Sequence, residues 1–343
     1  MKPIAITIGD PAGIGPETIV AGWHELDELA RKRCVVIGRA SYLEHAANCL
    51  GRSVNLHRVA SVEEELDSNA INYLEVGQQS NDSIELGKLS AAAGEVAYQA
   101  IIEAGKLTIE DKVAAMVTAP INKQALRMAG YEFPGHTELL ADLCGIDHVN
   151  MMLYLGKEYV PNSRVGLGVV HTTLHTALRQ ALDDLSGDLI LKAGQRISQF
   201  FQQLLDNDSA EDHAARIAVA ALNPHGGEQG LFGDEESTII SPTIEQGRSN
   251  GLLWTGPFPC DTLMARSVQG EFDGVVAMYH DQGHIAFKLL NMHRAVNVTL
   301  GLPIVRTSAA HGTAFALAGK GVADYGGLLE SIKLADKLSA SRD

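Results

Sequence analysis

The chain has 343 residues, 45% of them hydrophobic and 20% charged, and 42 acidic against 27 basic side chains leave a formal charge of −15. At roughly 100–200 residues per domain, this length calls for two domains. The acidic balance argues against a nucleic-acid surface, and with no apolar run of about 18 residues no membrane span is expected.

Cys34, Cys49, Cys144 and Cys260 form no CxxC pair, so neither a zinc ribbon nor a disulfide framework is indicated. The opening MKPIAITIGDPAG turns at Gly and Pro too soon for a secretory signal. A cytoplasmic, reducing location is expected.

In chain order, IAITIG (4–9) predicts a strand, followed by a Gly/Pro loop and a helix from about Pro16 to Leu29. CVVIGR (34–39) predicts the next strand, and SYLEHAANCLG (41–51) a helix closed by Gly51. AAMVTAP (114–120) reads as a strand before the helix INKQALRMAG. VNMMLYLG and RVGLGVVHTT read as strands around a loop, and one or two helices follow from HTALRQ onward. RIAVAALNP (216–224) predicts a strand, EESTIISPTIEQGRSNG a helix, GVVAMYH a strand, and HGTAFALAGKG the start of a late helix. Strands separated by 10–20-residue helices imply crossovers and a mostly parallel sheet with helices on both faces. Ligands bind beyond the carboxyl ends of such strands.

Histidines recur at these ends. VVHTTLH carries His171 and His175, ALNPH ends in His225, AMYH ends in His280, and FPGHT places His136 before a helix. Taken singly, each is best read as a satisfied polar group beside a core. Several together, each just past an apolar run, point to a catalytic divalent-metal site, which needs three neutral imidazoles and an open position. His171 and His175 could both serve only from a helix; from a strand they diverge.

Lys288, Asn297 and Arg306 follow, and converging cations suggest a phosphate or carboxylate subsite. A solvated surface charge is the plain reading of Lys288. Arg306, after the apolar LGLPIV, calls for a buried partner. GDPAGIGPE (9–17) is not a dinucleotide fingerprint, because Thr18 stands at the third glycine position. Its plain reading is a strand-to-helix turn with Pro16 and Glu17 in the first turn, where Asp10 could line a site. GGEQGLFGDEES (226–237) reads as a loop over a ligand or as an acid-capped helix start.

Together GDPAGIGPE, GHTELLA, LNPHGGE, GDEE, MYHDQG, VNVTLGLPIVRTS and HGTAFALAGKG resemble, in order from Gly9 to about Gly321, the 4-hydroxythreonine-4-phosphate dehydrogenase (PdxA) family. The resemblance implies two α/β/α domains of the isocitrate/isopropylmalate dehydrogenase type, expected near 1–120 plus 290–343 and 121–289. An interdomain active-site cleft is part of that expectation. It implies a homodimer with a shared active site, and NAD(P)-dependent oxidation, with decarboxylation, of a 4-phosphorylated hydroxy acid.

By the same resemblance one divalent ion (zinc, magnesium or cobalt) is held by His175, His225 and His280, one of them supplied by the partner subunit. His175 is preferred to His171 because the family histidine precedes an xxLR segment, as in HTALR. Substrate contacts fall on His136, Thr137, Lys288, Asn297 and Arg306. His136 and Asp261 are the candidates for proton transfer. Residues for NAD or NADP stay unassigned, as do roles for His171 and His284.

The main expectation is 4-phosphohydroxy-L-threonine oxidation in pyridoxal phosphate biosynthesis. HDQGHI departs from the commonest pattern and resembles a subgroup that oxidises D-threonate or D-erythronate 4-phosphate. HTTLH resembles members acting on cis-dihydrodiols. From the residues alone, a metal-dependent hydrolase is the competing class, and a non-catalytic metabolite-binding protein a third.

Overall fold

The computed structural model describes residues 1–77, 84–207 and 214–340. Its strands in chain order are β1 Ile4–Thr7, β2 Cys34–Gly38, β3 Leu56–Val59, β4 Ile71–Glu75, β5 Ala115–Thr118, β6 Asn150–Leu155, β7 Leu167–His171, β8 Arg216–Ala220, β9 Leu253–Phe258, β10 Gly274–Ala277, β11 Val296–Leu300 and β12 Arg306–Ala309. The chain divides into two units, Met1–Val149 with Leu302–Asp343, and Asn150–Gly301. Both are α/β.

In the first unit the strand order is β3-β4-β2-β1-β5-β12, and every pairing is parallel. β1, β2 and β5 are buried along their whole length, as apolar runs in a parallel sheet covered on both faces must be. Helices Gly15–Trp23, Ala40–Cys49 and Ala91–Ile109 carry the connections. Ser90 caps the last of these by accepting the Ala93 N–H at 3.2 Å. The carboxyl ends of β1 and β5 lie side by side, and the Asp10 N–H donates to the Pro120 carbonyl at 2.9 Å.

In the second unit the order is β11-β6-β7-β10-β8-β9. β7, β10, β8 and β9 pair in parallel, whereas β6 is antiparallel to both β7 and β11. The segment 156–166 between β6 and β7 holds no helix and is too short for a crossover, so the second strand returns. Helix Gly187–Asp206 buries Ile190, Ala193, Gly194, Ile197, Phe201 and Leu204, a stripe at three- and four-residue spacing. The Trp254 indole lies against two helices at once and donates Nε1–H to Ser198 Oγ at 2.9 Å. A Cβ at Gly194 would fall 2.4 Å from that ring and one at Gly247 2.2 Å from it, so only glycine admits the indole.

Three local expectations change. The first helix stops at Trp23, and a separate short helix, Glu28–Arg31, starts where Asp27 accepts the Ala30 N–H at 2.8 Å. β10 stops at Ala277, and HDQGH forms the opening of helix His280–Asn291, which also carries Lys288. The Gln282 side chain completes this junction, accepting the Met278 N–H and donating to the Ala221 carbonyl, both at 2.7 Å. HGTAFALAGKG yields one 3₁₀ turn, Phe315–Leu317, and the last helix starts at Gly326. Gly319 and Gly321 adopt φ of +79° and +65°, which ends any helix there.

Gly247→Ala forces a methyl into a rigid ring and should lower stability by about 1–3 kcal/mol. The midpoint of denaturant unfolding, read by Trp fluorescence, measures it.

Candidate functional site

In the second unit, β7 and β10 end beside each other. Thr172 N and Thr173 N donate to the carbonyls of Ala277 and Met278, at 2.8 and 3.2 Å. Beyond them lies a pocket of about 330 Å³ lined by residues that include Thr173, His175, Leu178, Tyr279, His280 and Asp281. His175 is exposed and adopts φ of +49°, a left-handed conformation that costs a residue with a Cβ roughly 1–2 kcal/mol. Its ring centre lies 5.8 Å from that of His280.

His280 Nδ1 lies 2.6 Å from Asp281 Oδ1. The carboxylate accepts, so Nδ1 carries a proton, which leaves Nε2 as the nitrogen that could bind a metal. Behind His280 are two more imidazoles. His284 stacks on it at 3.8 Å between centroids, and His284 Nδ1 lies 2.9 Å from His171 Nε2. Burial first, and then the neighbouring charges of His171, His280 and Lys288, push the His284 pKa down to about 3. Burial pushes His171 down to about 4. Both rings are neutral at pH 7.

Two imidazoles sharing one tetrahedral ion at about 2.0–2.1 Å from each nitrogen have ring centres roughly 5–6 Å apart. His175 and His280 fit that spacing. Among the described residues no group of three or more His, Cys, Asp or Glu could hold a metal ion, so His225 does not complete a set with this pair within one chain.

His225 is exposed in the loop after β8. His225, Gly226, Gly227, Glu228 and Gln229 have φ of 55°, 68°, 77°, 46° and 58°, a left-handed turn. Buried Glu236 anchors its base, accepting the N–H groups of Leu222 and Asn223, both at 2.8 Å, and Asn223 Nδ2 at 3.0 Å. Burial alone would raise the Glu236 pKa, but the hydrogen bonds from Asn223 and Leu222 outweigh it and hold the carboxyl below its ordinary value. GGEQGLFGDEES therefore contains this turn, anchored from its acidic end.

The remaining expected contacts of this unit are dispersed. Lys288 is exposed on the helix two turns after His280. Asn297, on β11, is half-buried and its Oδ1 is buried with no hydrogen-bond partner among the described residues. Asp261 is exposed in the first turn of helix Cys260–Val268, where Oδ1 accepts the Thr262 N–H at 2.9 Å.

In the first unit, Arg306 is 3% exposed, and its Nε and Nη2 donate to Thr118 Oγ1 at 3.1 and 2.7 Å. Burial lowers its pKa to about 10, which leaves it a cation at pH 7. His136 opens helix His136–Leu143 with Thr137 beside it. Its Nε2 is buried without a hydrogen-bond partner among the described residues. Burial, and then the Arg306 charge, hold this imidazole well below its ordinary pKa.

Asp10 is fully buried. Its Oδ1 accepts the Ala12 N–H at 2.9 Å while Oδ2 has no hydrogen-bond partner among the described residues, and burial raises its pKa to about 6. The nearby helix Gly15–Trp23 follows the Gly/Pro loop that carries Asp10. Buried Glu17 fills its first turn and accepts the N–H groups of Gly319 and Gly321, at 2.5 and 2.9 Å. No spacing rule marks Thr118 or the His171–His284 pair, whose partners lie 188 and 113 residues away, and none marks Glu236, whose partners Leu222 and Asn223 stand 14 and 13 residues before it.

The family described as "Pyridoxal phosphate biosynthetic protein PdxA" matches residues 30–335. The chain is 42% identical over 341 residues to the D-threonate 4-phosphate dehydrogenase of Cupriavidus necator, covering 99% of this chain and 98% of that one. It is 41% identical over 338 residues to the 4-hydroxythreonine-4-phosphate dehydrogenase of Beijerinckia indica, covering 98% and 95%. The crystal structure of 4-hydroxythreonine-4-phosphate dehydrogenase from Klebsiella pneumoniae superposes with a TM-score of 0.85 at 40% identity, covering 99% of this chain and 100% of that one.

Asp10 keeps its proton to higher pH when folded than when unfolded. The unfolded chain therefore binds fewer protons between pH 3.8 and about 6, and stability from this group falls as pH rises through that window. Asp10→Asn should stabilise the protein at pH 8 by about 1–3 kcal/mol, with the gain vanishing below the lower limit. Denaturant unfolding at pH 8 and at acid pH checks both parts.

Proposed function

The chain belongs to the PdxA family, and on that premise we propose that it oxidises the secondary alcohol of a 4-phosphorylated hydroxy acid, with loss of the carboxylate, passing hydride to NAD or NADP. The observation that carries this reading is a pair of expected substrate contacts, His136 and Asn297, each keeping a buried polar atom with no hydrogen-bond partner among the described residues. A buried polar atom left unpaired costs roughly 1–3 kcal/mol, and a polar substrate would relieve that cost.

Arg306, already fixed on Thr118 and shielded from water, would hold the phosphate, with Lys288 as a second cation. Binding energy gathered at the phosphate would hold the ground state and the transition state alike, and so lower KM. Asp281 would keep a proton on His280 Nδ1, leaving Nε2 as the nitrogen available to a cation. His136, neutral and held under the Arg306 charge, accepts a hydrogen bond from the substrate or takes its proton. The sequence reading also gave Asp261 a proton-transfer role, which its exposure and its bond to Thr262 support less well.

A divalent cation (zinc, magnesium or cobalt) held by His175 and His280, with His225 of a second subunit as a further ligand, would supply Lewis acidity to the alcohol and to the charge that decarboxylation leaves. A homodimer with a shared site fits the exposed apolar side chains: Ile285 and Leu289 at 60% and 82% exposure, Leu178 and Leu182 at 57% and 46%. No helix of the described residues is long and apolar enough to cross a membrane, and all four cysteines are free thiols, which fits a cytoplasmic enzyme.

The substrate is 4-phosphohydroxy-L-threonine or its hydroxyl counterpart, D-threonate or D-erythronate 4-phosphate. Relatives bearing the first two substrates' names match at near-equal identity. Parallel assays of NAD reduction with the three compounds decide between them. Release of inorganic phosphate without nicotinamide reduction would instead establish a hydrolase. Chelation should abolish turnover, and added zinc, magnesium or cobalt should restore it. Arg306→Met should raise KM for the phosphorylated substrate about 10–100-fold, the worth of a charge-assisted hydrogen-bond pair, and leave kcat within a few-fold. An unchanged KM would remove Arg306 from the phosphate subsite.

A further inference from the structure

We infer that His284 is a positioning residue that clamps the ring of His280, with His171 and the Met151 carbonyl fixing His284 in turn. The inference rests on the reading of His280 as a cation ligand.

The argument begins at a group that cannot change its role. The Met151 carbonyl only accepts, and His171 Nδ1 lies 3.2 Å from it, so that nitrogen carries the proton. His171 is 1% exposed, with Nδ1 facing the Met151 carbonyl and Nε2 facing His284, so Nε2 is the nitrogen left to accept. His284 Nδ1, 2.9 Å from that nitrogen, must then be the donor. Direction thus passes from a backbone carbonyl through two buried imidazoles, and the hydrogen bond fixes the plane of the second ring.

That plane is the one His280 rests on. The two rings are 3.8 Å apart between centroids and 9° from parallel. They stand four residues apart on helix His280–Asn291, where i and i+4 side chains share a face. The terminal torsion of a histidine is otherwise broad and roughly two-fold. Asp281 chooses which His280 nitrogen holds the proton but, being 67% exposed in its side chain, does little to hold the ring still.

The helix can come this close to β7 only because residue 283 is glycine. A Cβ there would lie 2.6 Å from His171 Nε2 and from Val169 Cγ1. Glycine at 283 and histidine at 284 therefore form one device. The cluster is not itself a ligand set, since His284 is 6% exposed and its Nδ1 is committed to His171.

The test compares the whole wild-type protein with His284→Leu, which neither donates nor stacks, and His284→Phe, which keeps a ring against His280. Zinc binding to metal-free protein, measured by calorimetry, should weaken 10–100-fold in His284→Leu, the usual effect of removing a group that orients a ligand, and less in His284→Phe. A crystal structure of metal-free His284→Leu should show the His280 ring turned out of its wild-type plane. An unmoved ring, or zinc bound as tightly as by wild type, would overturn the inference. If His284→Leu does not fold by circular dichroism, long-range ¹H–¹⁵N spectra of the wild type decide: His171 and His284 must both be Nδ1–H tautomers, and an Nε2–H form of His284 refutes the arrangement. Wild-type protein that binds no zinc, cobalt or magnesium would sink the cation reading of the pocket. The clamp would then stand or fall on the ring orientation alone.

Discussion

A backbone carbonyl accepts hydrogen bonds and never donates them, and at Met151 this fixes the state of the histidine cluster. Its contact with His171 Nδ1 decides where one proton sits, and the His284 contact then has only one possible direction. The rings can be ordered in this way only while neutral. Burial supplies that condition by holding His171 and His284 far below the ordinary histidine pKa. Apolar strands β6 and β7 thus do more than fill a core. They create the low dielectric in which a pair of imidazoles becomes a rigid scaffold behind His280.

The first unit uses the same medium in the opposite sense. There a guanidinium is buried as a cation, because arginine keeps its charge even when burial lowers its pKa to about 10. Thr118 Oγ1 satisfies two of its donors. Burial, and then this positive charge, depress His136, while burial pushes the carboxyl of Asp10, one of whose oxygens has no hydrogen-bond partner among the described residues, toward its neutral form. Each of these departures costs the free protein stability. They cluster near the ends of parallel strands, where an anionic polar ligand would offset them.

The sequence makes the strands and their order of chemistry legible because both depend on local pattern. IAIT, CVVIG, AMVT and GVVA are continuous apolar runs, and each is a buried strand. Pairing direction is less legible: β6 is antiparallel because of the brevity of the segment after it, and nothing in NMMLYL itself says so. HDQGH reads as a turn on composition, since Asp and Gly favour turns. In the fold, Gln282 satisfies the backbone at the junction and the helix begins at His280. Of the expected site residues, His136 and Arg306 are placed where burial gives them altered acidity, and His175 and His280 face one pocket. What stayed hidden was partnership across long separations: Thr118 under Arg306, 188 residues away, and His171 against His284, 113 residues away.

The loop carrying His225 shows why such partnerships matter more than local preference. Three of its five left-handed residues, His225, Glu228 and Gln229, carry a Cβ, and each costs roughly 1–2 kcal/mol in that conformation. Left to its own propensities, PHGGEQG would relax. Glu236 opposes relaxation from outside the turn, because its carboxylate takes both backbone N–H groups at the base of the loop and the Asn223 amide as well. Hydrogen bonds to a buried charge contribute about 1.5–3 kcal/mol each, enough together to hold the strained form. Strain of this kind persists where the surroundings over-determine it, and here they include buried Glu236 and its neighbour Glu235, both of which accept the Asn223 amide at the base of the loop that carries His225.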